Sequence, residues 1–184
     1  MIVVVHGYEG SGPGHWQHWL NDTLVARGAA VRFPDLPDNL APQRDAWVEA
    51  LATIVLGRGE SRVTFVAHSL GCWAVDHYLA THGAEGVHAA LLVAPPSPYS
   101  LFEPIQSFLP PPRNPERWRP IAQRTLIVGS DDDDYAEASE FEALGAQLGA
   151  RVRILPGRGH INAAAGFGPF PLALEWLAEV GALR

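Results

Sequence analysis

A chain of 184 residues can bury one substantial core and is short for two. Apolar residues at 47% and charged residues at 18% describe a folded globular protein rather than a disordered one. The net charge of −7, with no concentrated cationic stretch, argues against a nucleic-acid surface, and the single cysteine, Cys72, cannot form an internal disulfide. No run reaches the roughly 18 apolar residues needed to cross a bilayer. The first residues enter a strand-like run without the basic and apolar regions of a signal peptide. The expectation is a soluble cytoplasmic protein without membrane or nucleic-acid partners.

In chain order, Ile2–Val5 is an apolar run closed by His6-Gly7 and predicts a buried strand. Residues 14–27 predict a helix, with Trp16, Trp19, Leu20 and Leu24 at three- and four-residue spacing. Strand 30–33 ends at Pro34, and helix 42–56 carries Trp47, Leu51 and Val55 on one stripe. Strand 62–67 runs into a helix over 69–81, followed by strand Val87–Val93. Strand 124–129, helix 136–148, strand Arg151–Leu155 and helix 170–180 complete the series. Strands that alternate with helices and are apolar on both faces imply a doubly wound, mainly parallel sheet of about six strands. Segment 95–120 holds nine of the 16 prolines and fits neither a central strand nor a long helix. It follows the fourth strand at the carboxyl edge, where open α/β sheets bind ligands, and reads as a Pro-rich loop or minimal cap within one domain, 1–184.

Ala67-His68-Ser69-Leu70-Gly71 joins a strand directly to a helix. A nucleophile elbow needs small residues two positions either side of its serine, because the turn is strained and neighbouring backbone is close. Gly71 meets that need, and Ala67 is the next smallest choice to glycine. Leu70 starts the helix, so its backbone N–H is free to stabilise an oxyanion. On this pattern alone, Ser69 as a helix N-cap is an equal reading. In Val5-His6-Gly7-Tyr8 the loop after the first strand would supply the second oxyanion N–H from Tyr8. The glycines at 10, 12 and 14 match neither the dinucleotide nor the phosphate-loop pattern. Asp131 to Asp134 follow a late strand, where a triad acid belongs; the run lacks the spacing of a calcium loop. His160, on the glycine-flanked loop after the last strand, completes the order Ser…Asp…His. His15 and His18 stand three apart on a predicted helix and read as rim or surface residues rather than metal ligands. His68 is expected to pack beside the site and Cys72 to be a buried apolar residue. Trp73, Phe102, Phe108 and Trp118 are candidate pocket walls, with core as the alternative.

The elbow through Cys72, the Ser130-x-Asp132-Asp133-x-Tyr135 loop and Gly159-His160-Ile161-Asn162-Ala163 resemble the small serine hydrolases of the YdeN and retinoblastoma-binding-protein-nine family. Gly10-Ser11-Gly12-Pro13-Gly14-His15-Trp16-Gln17 and Leu92-Val93-Ala94-Pro95-Pro96 resemble it too, so the likeness spans nearly the whole chain. The resemblance implies a compact α/β-hydrolase core, esterase-like activity and no metal or organic cofactor. In that family the acid loop reads Asp-Asp-Pro-Tyr/Phe and the acid precedes the proline. This implies Asp133, although Asp134 replaces the proline and Asp132 stays open.

The function expected is hydrolysis of small acyl esters through Ser69, His160 and Asp133, with Tyr8 and Leu70 as oxyanion donors. The alternatives are a thioesterase or lactonase on the same machinery, and a binding module with little turnover. The partner is a small-molecule ester or, on the binding alternative, another protein or a second copy of the chain.

Overall fold

The computed structural model describes residues 1–59 and 61–183. Six strands, β1 (Ile2–Val5), β2 (Val31–Arg32), β3 (Val63–His68), β4 (Val87–Val93), β5 (Thr125–Ser130) and β6 (Arg151–Leu155), form one sheet in the order β2-β1-β3-β4-β5-β6. Every pairing is parallel. The helices are α1 (Trp16–Ala26), α2 (Arg44–Leu56), α3 (Leu70–His82), the one-turn α4 (Pro115–Trp118), α5 (Ala138–Leu148) and α6 (Pro171–Glu179).

Alternation along the strands assigns each side chain to a face. Val3, Val5, Phe65, Ala67, Leu92 and Ile127 pack with α2, α3 and α5. Val4, Val66, Leu91, Val93 and Val128 pack with Trp16, Leu20 and Leu24 of α1 and Trp176 and Leu177 of α6. Both edges are blunted against further pairing: β2 is two residues long, and β6 bears Arg151 and Arg153. The strand predicted over 30–33 is shorter than expected because only Val31 and Arg32 pair with β1, while the Ala30 carbonyl caps Ile2 N–H from outside the ladder.

The chain winds from β1 to β2 on one side, then crosses to β3 on the other side of β1. The carboxyl ends of β1 and β3 therefore flank the switch point, where the two crossovers diverge and leave a crevice. The Pro-rich segment folds over the neighbouring part of this edge. It holds a 3₁₀ helix, Glu103–Phe108, and α4, and it buries Phe108 and Trp118 completely. Asp76 of α3 anchors it: its two carboxylate oxygens accept the Trp118 indole N–H at 2.7 Å and the Arg113 backbone N–H at 2.8 Å. Burial pushes the Asp76 carboxyl upward, and these two donors oppose that shift. Asp76→Ala strands both donors, so stability measured by urea unfolding is expected to fall by about 1–3 kcal/mol; an unchanged midpoint would show that the anchor holds nothing.

Candidate active site

Ser69 stands between β3 and α3 with φ 53° and ψ −126°, a conformation that costs a non-glycine residue roughly 1–3 kcal/mol. Its N–H donates to the Val93 carbonyl at 2.9 Å, which ties the turn to β4. The neighbouring backbone is close. A Cβ at Gly71 would lie 2.5 Å from the His6 carbonyl oxygen and 2.7 Å from that of Val5, and one at Gly7 would lie 2.8 Å from the Ser69 Cβ. Neither position admits a side chain, which is the physical reason for glycine at both. Leu70 is the first residue of α3, so its N–H has no acceptor within the helix. Tyr8, leaving β1, lines the same cavity as Ser69 and Leu70.

The structure brings Ser69, His160 and Asp133 together from three loops. His160 Nε2 is 2.9 Å from the Ser69 Oγ. His160 Nδ1 is 2.9 and 3.0 Å from the two Asp133 oxygens. The Nδ1–H donates to the carboxylate, which leaves Nε2 to accept the serine hydroxyl proton. The Asp133 side chain has no solvent exposure and that of His160 only 8%. The Tyr135 ring covers the imidazole at 4.4 Å between centroids.

The four aspartates take different partners. Asp131 accepts from Gly157 N–H at 2.8 Å. Asp132 accepts from the Ser130 hydroxyl at 2.6 Å and from Gly159 N–H at 2.7 Å, bonds that hold its carboxyl below the usual range. Asp131 and Asp132 thus clamp the histidine loop, while only Asp133 meets the ring. Asp134 is exposed. The sequence left Asp132 and Asp133 open because both fall near one strand end, and only the turn geometry separates them.

A cavity of about 470 Å³ opens on Ser69. Tyr8, Leu70, Phe102, Ile105 and Tyr135 form much of its apolar wall, with Phe102 edge-on to Tyr8 at 5.2 Å. Of the aromatic residues considered as walls, Phe102 is one. Trp73, Phe108 and Trp118 belong to the core. Cys72 is buried as expected, and burial pushes its thiol well up. No cluster of metal-ligating side chains occurs among the described residues, and no described helix is long and apolar enough to cross a membrane.

Of the two readings of His15, rim or surface, the structure favours the first: it is 6% exposed and lines the cavity. What distinguishes it is its place as the N-cap of α1, at the end of the glycine-rich loop that leaves β1. His68 packs beside the site as expected, donating its Nε2–H to the His160 carbonyl at 2.9 Å.

A six-stranded parallel sheet covered on both faces, with a serine on a strained strand-to-helix turn at its switch point, is an α/β-hydrolase fold. A model of the serine hydrolase family matches residues 2–179, and the chain belongs to that family. YdeN of Bacillus subtilis, named as a hydrolase, is 24% identical over 180 residues, spanning 97% of this chain and 94% of that one. Its crystal structure matches with a TM-score of 0.85 over 98% of both chains. A YdeN-like hydrolase from Pectobacterium atrosepticum is 27% identical, with a TM-score of 0.79 over 98% of this chain and 89% of the other. Est1E of Butyrivibrio proteoclasticus, solved with ferulic acid bound, shares the fold at 15% identity and a TM-score of 0.67, over 96% of this chain and 89% of its own.

Burial pushes the His15 imidazole down to about 4, assisted by the nearby His18 and His160. Burial also pushes the His68 imidazole well below its ordinary value, with His160 and His15 adding to it. Both rings are therefore neutral near pH 7. The unfolded chain protonates them near the ordinary histidine value of roughly 6.5. Their stabilisation is complete above that pH and is lost as pH falls, by up to about 1.4 kcal/mol per pH unit for each ring. In His15→Asn, which retains a capping side chain, unfolding free energy is expected to fall less steeply than in the parent between about pH 6 and pH 4.5; parallel curves would contradict this.

Proposed function

We propose that the protein is a carboxylesterase-like serine hydrolase acting on small neutral esters through an acyl-enzyme. The observation that carries this reading is the continuous relay from Ser69 Oγ through His160 to Asp133, at 2.9 Å on the serine side and 2.9–3.0 Å on the carboxylate side, facing a cavity. His160 takes the Ser69 proton as the oxygen attacks the acyl carbonyl. Asp133 fixes the imidazole tautomer and stabilises the imidazolium. The backbone N–H groups of Leu70 and Tyr8 receive the oxyanion, each such donor being typically worth ~3 kcal/mol. His160 returns its proton to the leaving alcohol, then draws one from water, which attacks the acyl group and releases the acid.

The cavity lining supports a neutral substrate. It contains Glu9 but neither lysine nor arginine, so nothing there would neutralise an anion. Est1E, on the same fold, is seen with ferulic acid, a carboxylic acid of the kind an acyl-enzyme releases. Segment 95–120 acts as a minimal cap on a single hydrolase unit, since Ser100, Phe102 and Ile105 reach the cavity from it.

Labelling by a fluorophosphonate probe and turnover of p-nitrophenyl esters test the reading. Ser69→Ala is expected to abolish labelling and lower kcat by about 10⁴-fold or more. Near-parental turnover by that variant would refute it. Asp133→Asn is expected to lower kcat by about 10⁴-fold through the wrong imidazole tautomer. Asp132→Asn, which weakens the bonds from Ser130 and Gly159 without touching the imidazole, should cost about tenfold or less; the reverse ranking would move the acid to Asp132.

A further inference from the structure

His15 takes no part in the relay, yet it is held more firmly than a spectator needs to be. Its backbone N–H donates to the Gly12 carbonyl at 2.9 Å, and its Nδ1 accepts from Gln17 N–H at 3.2 Å. The loop before it is braced by the Ser11 hydroxyl on Gln17 Oε1 at 2.6 Å and by the His18 ring on the Ser11 carbonyl at 2.6 Å. Gln17, wholly buried, is tied in turn to the Val5 carbonyl at 2.9 Å. Because Nδ1 accepts, the ring proton resides on Nε2. That N–H has no partner among the described residues and is not sealed in the core, so it is met from the cavity.

The His15 ring lies 4.7 Å from that of His68, which lies 5.0 Å from that of His160. A group that meets His15 therefore lies in the same cavity as the Ser69 hydroxyl, with the His68 ring between His15 and His160. Asn162 adds a second donor to the same cavity. Its Oδ1 is engaged by Ala165 N–H at 2.9 Å, leaving the amide N–H groups. Trp16, next to His15, holds that loop through its indole N–H on the Ile161 carbonyl at 2.9 Å. The ring is neutral, and no cation lines the cavity, so these donors suit an uncharged oxygen rather than a carboxylate.

Resting on the esterase reading above, we propose that His15 is a specificity-determining residue whose Nε2–H donates to a neutral oxygen acceptor (ether, hydroxyl or ketone) carried by the ester close to the scissile bond. A preorganised donor loses a hydrogen bond to an all-carbon analogue, and a site built to make that bond discriminates against the analogue that lacks it. The acceptor can belong to the acyl or to the alcohol part, and two isosteric pairs separate these sources. Methoxyacetate against butyrate p-nitrophenyl esters place the oxygen in the acyl chain. 2-Methoxyethyl acetate against butyl acetate places it in the alcohol.

For each pair the ratio of kcat/KM is compared between the parent and His15→Asn, which cancels intrinsic ester reactivity. One ratio is expected to fall by about three- to tenfold in the variant, the size of one neutral hydrogen bond. Both ratios unchanged would overturn the proposal. Should the variant not fold, Ser69→Ala protein is titrated with methyl methoxyacetate, methyl butyrate and the two acetates. The favoured oxygen-bearing ester is expected to bind about three- to tenfold tighter than its isostere and to move the His15 Nε2 resonance; equal binding with an unmoved resonance overturns the proposal. Turnover surviving in Ser69→Ala would instead overturn the esterase reading itself.

Discussion

The constraint on which the site depends is the close approach of β1 to the Ser69 turn. The Val5 and His6 carbonyls press on Gly71, and Gly7 presses on Ser69. A positive φ at a serine persists only where surroundings over-determine it. Here the parallel register from Ile2↔Thr64 to Val5↔Ala67 delivers both strand ends to the same point, and the Val93 carbonyl secures the serine N–H from the other side. The chain must reverse its winding direction between β1 and β3 for their carboxyl ends to border an open crevice. Topology and turn strain are thus two aspects of one arrangement, and the serine side chain projects into the cavity because the sheet leaves it no other direction.

The histidine loop has no regular structure of its own and would be mobile if unsupported. It is stitched to the acid loop instead. Asp131 and Asp132 accept from Gly157 and Gly159, and the Ser130 hydroxyl accepts from Arg158 N–H at 2.8 Å. Bonds from backbone N–H to a carboxylate are charge-assisted and stronger than neutral ones. They also spread three negative charges over separate partners, so Asp133 need not share the imidazole with a second carboxylate. His6 performs a similar task for the β1 exit, donating to the Gly7 carbonyl at 2.8 Å while accepting from Leu36 N–H at 2.9 Å.

Most of this architecture is legible in the sequence because burial on both faces makes central strands continuous apolar runs. The predicted strands Ile2–Val5, Val87–Val93 and Arg151–Leu155 match to the residue, and the other strands lie within one residue of expectation. The serine, acid and histidine loops were legible because their order and strand-end positions are constrained by the fold. The separation of Asp132 from Asp133 was not, since adjacent residues on a turn differ only in direction. Nor was the choice between rim and surface for His15: a helix N-cap looks the same in sequence whether its far side meets solvent or a cavity. Phe108 and Trp118 were ambiguous for a related reason. Their burial depends on how the Pro-rich segment folds back on α3, and local pattern does not encode that long-range contact.

The three rings His15, His68 and His160 lie in a row at the base of the cavity, and like charges at 4.7 and 5.0 Å oppose one another. Two of them are desolvated and lack a carboxylate partner, so each is held neutral. Only His160 has one, in Asp133. On the proposed mechanism, the proton taken from Ser69 therefore goes to that ring alone. This matters because His68 positions the His160 backbone by donating Nε2–H to its carbonyl, and His15 presents a donor whose tautomer is set by Gln17. If either neighbour competed for the proton, the frame would change charge along with the group it supports. Burial removes that competition, and on the proposed mechanism the ring that cycles its charge works beside two rings that do not.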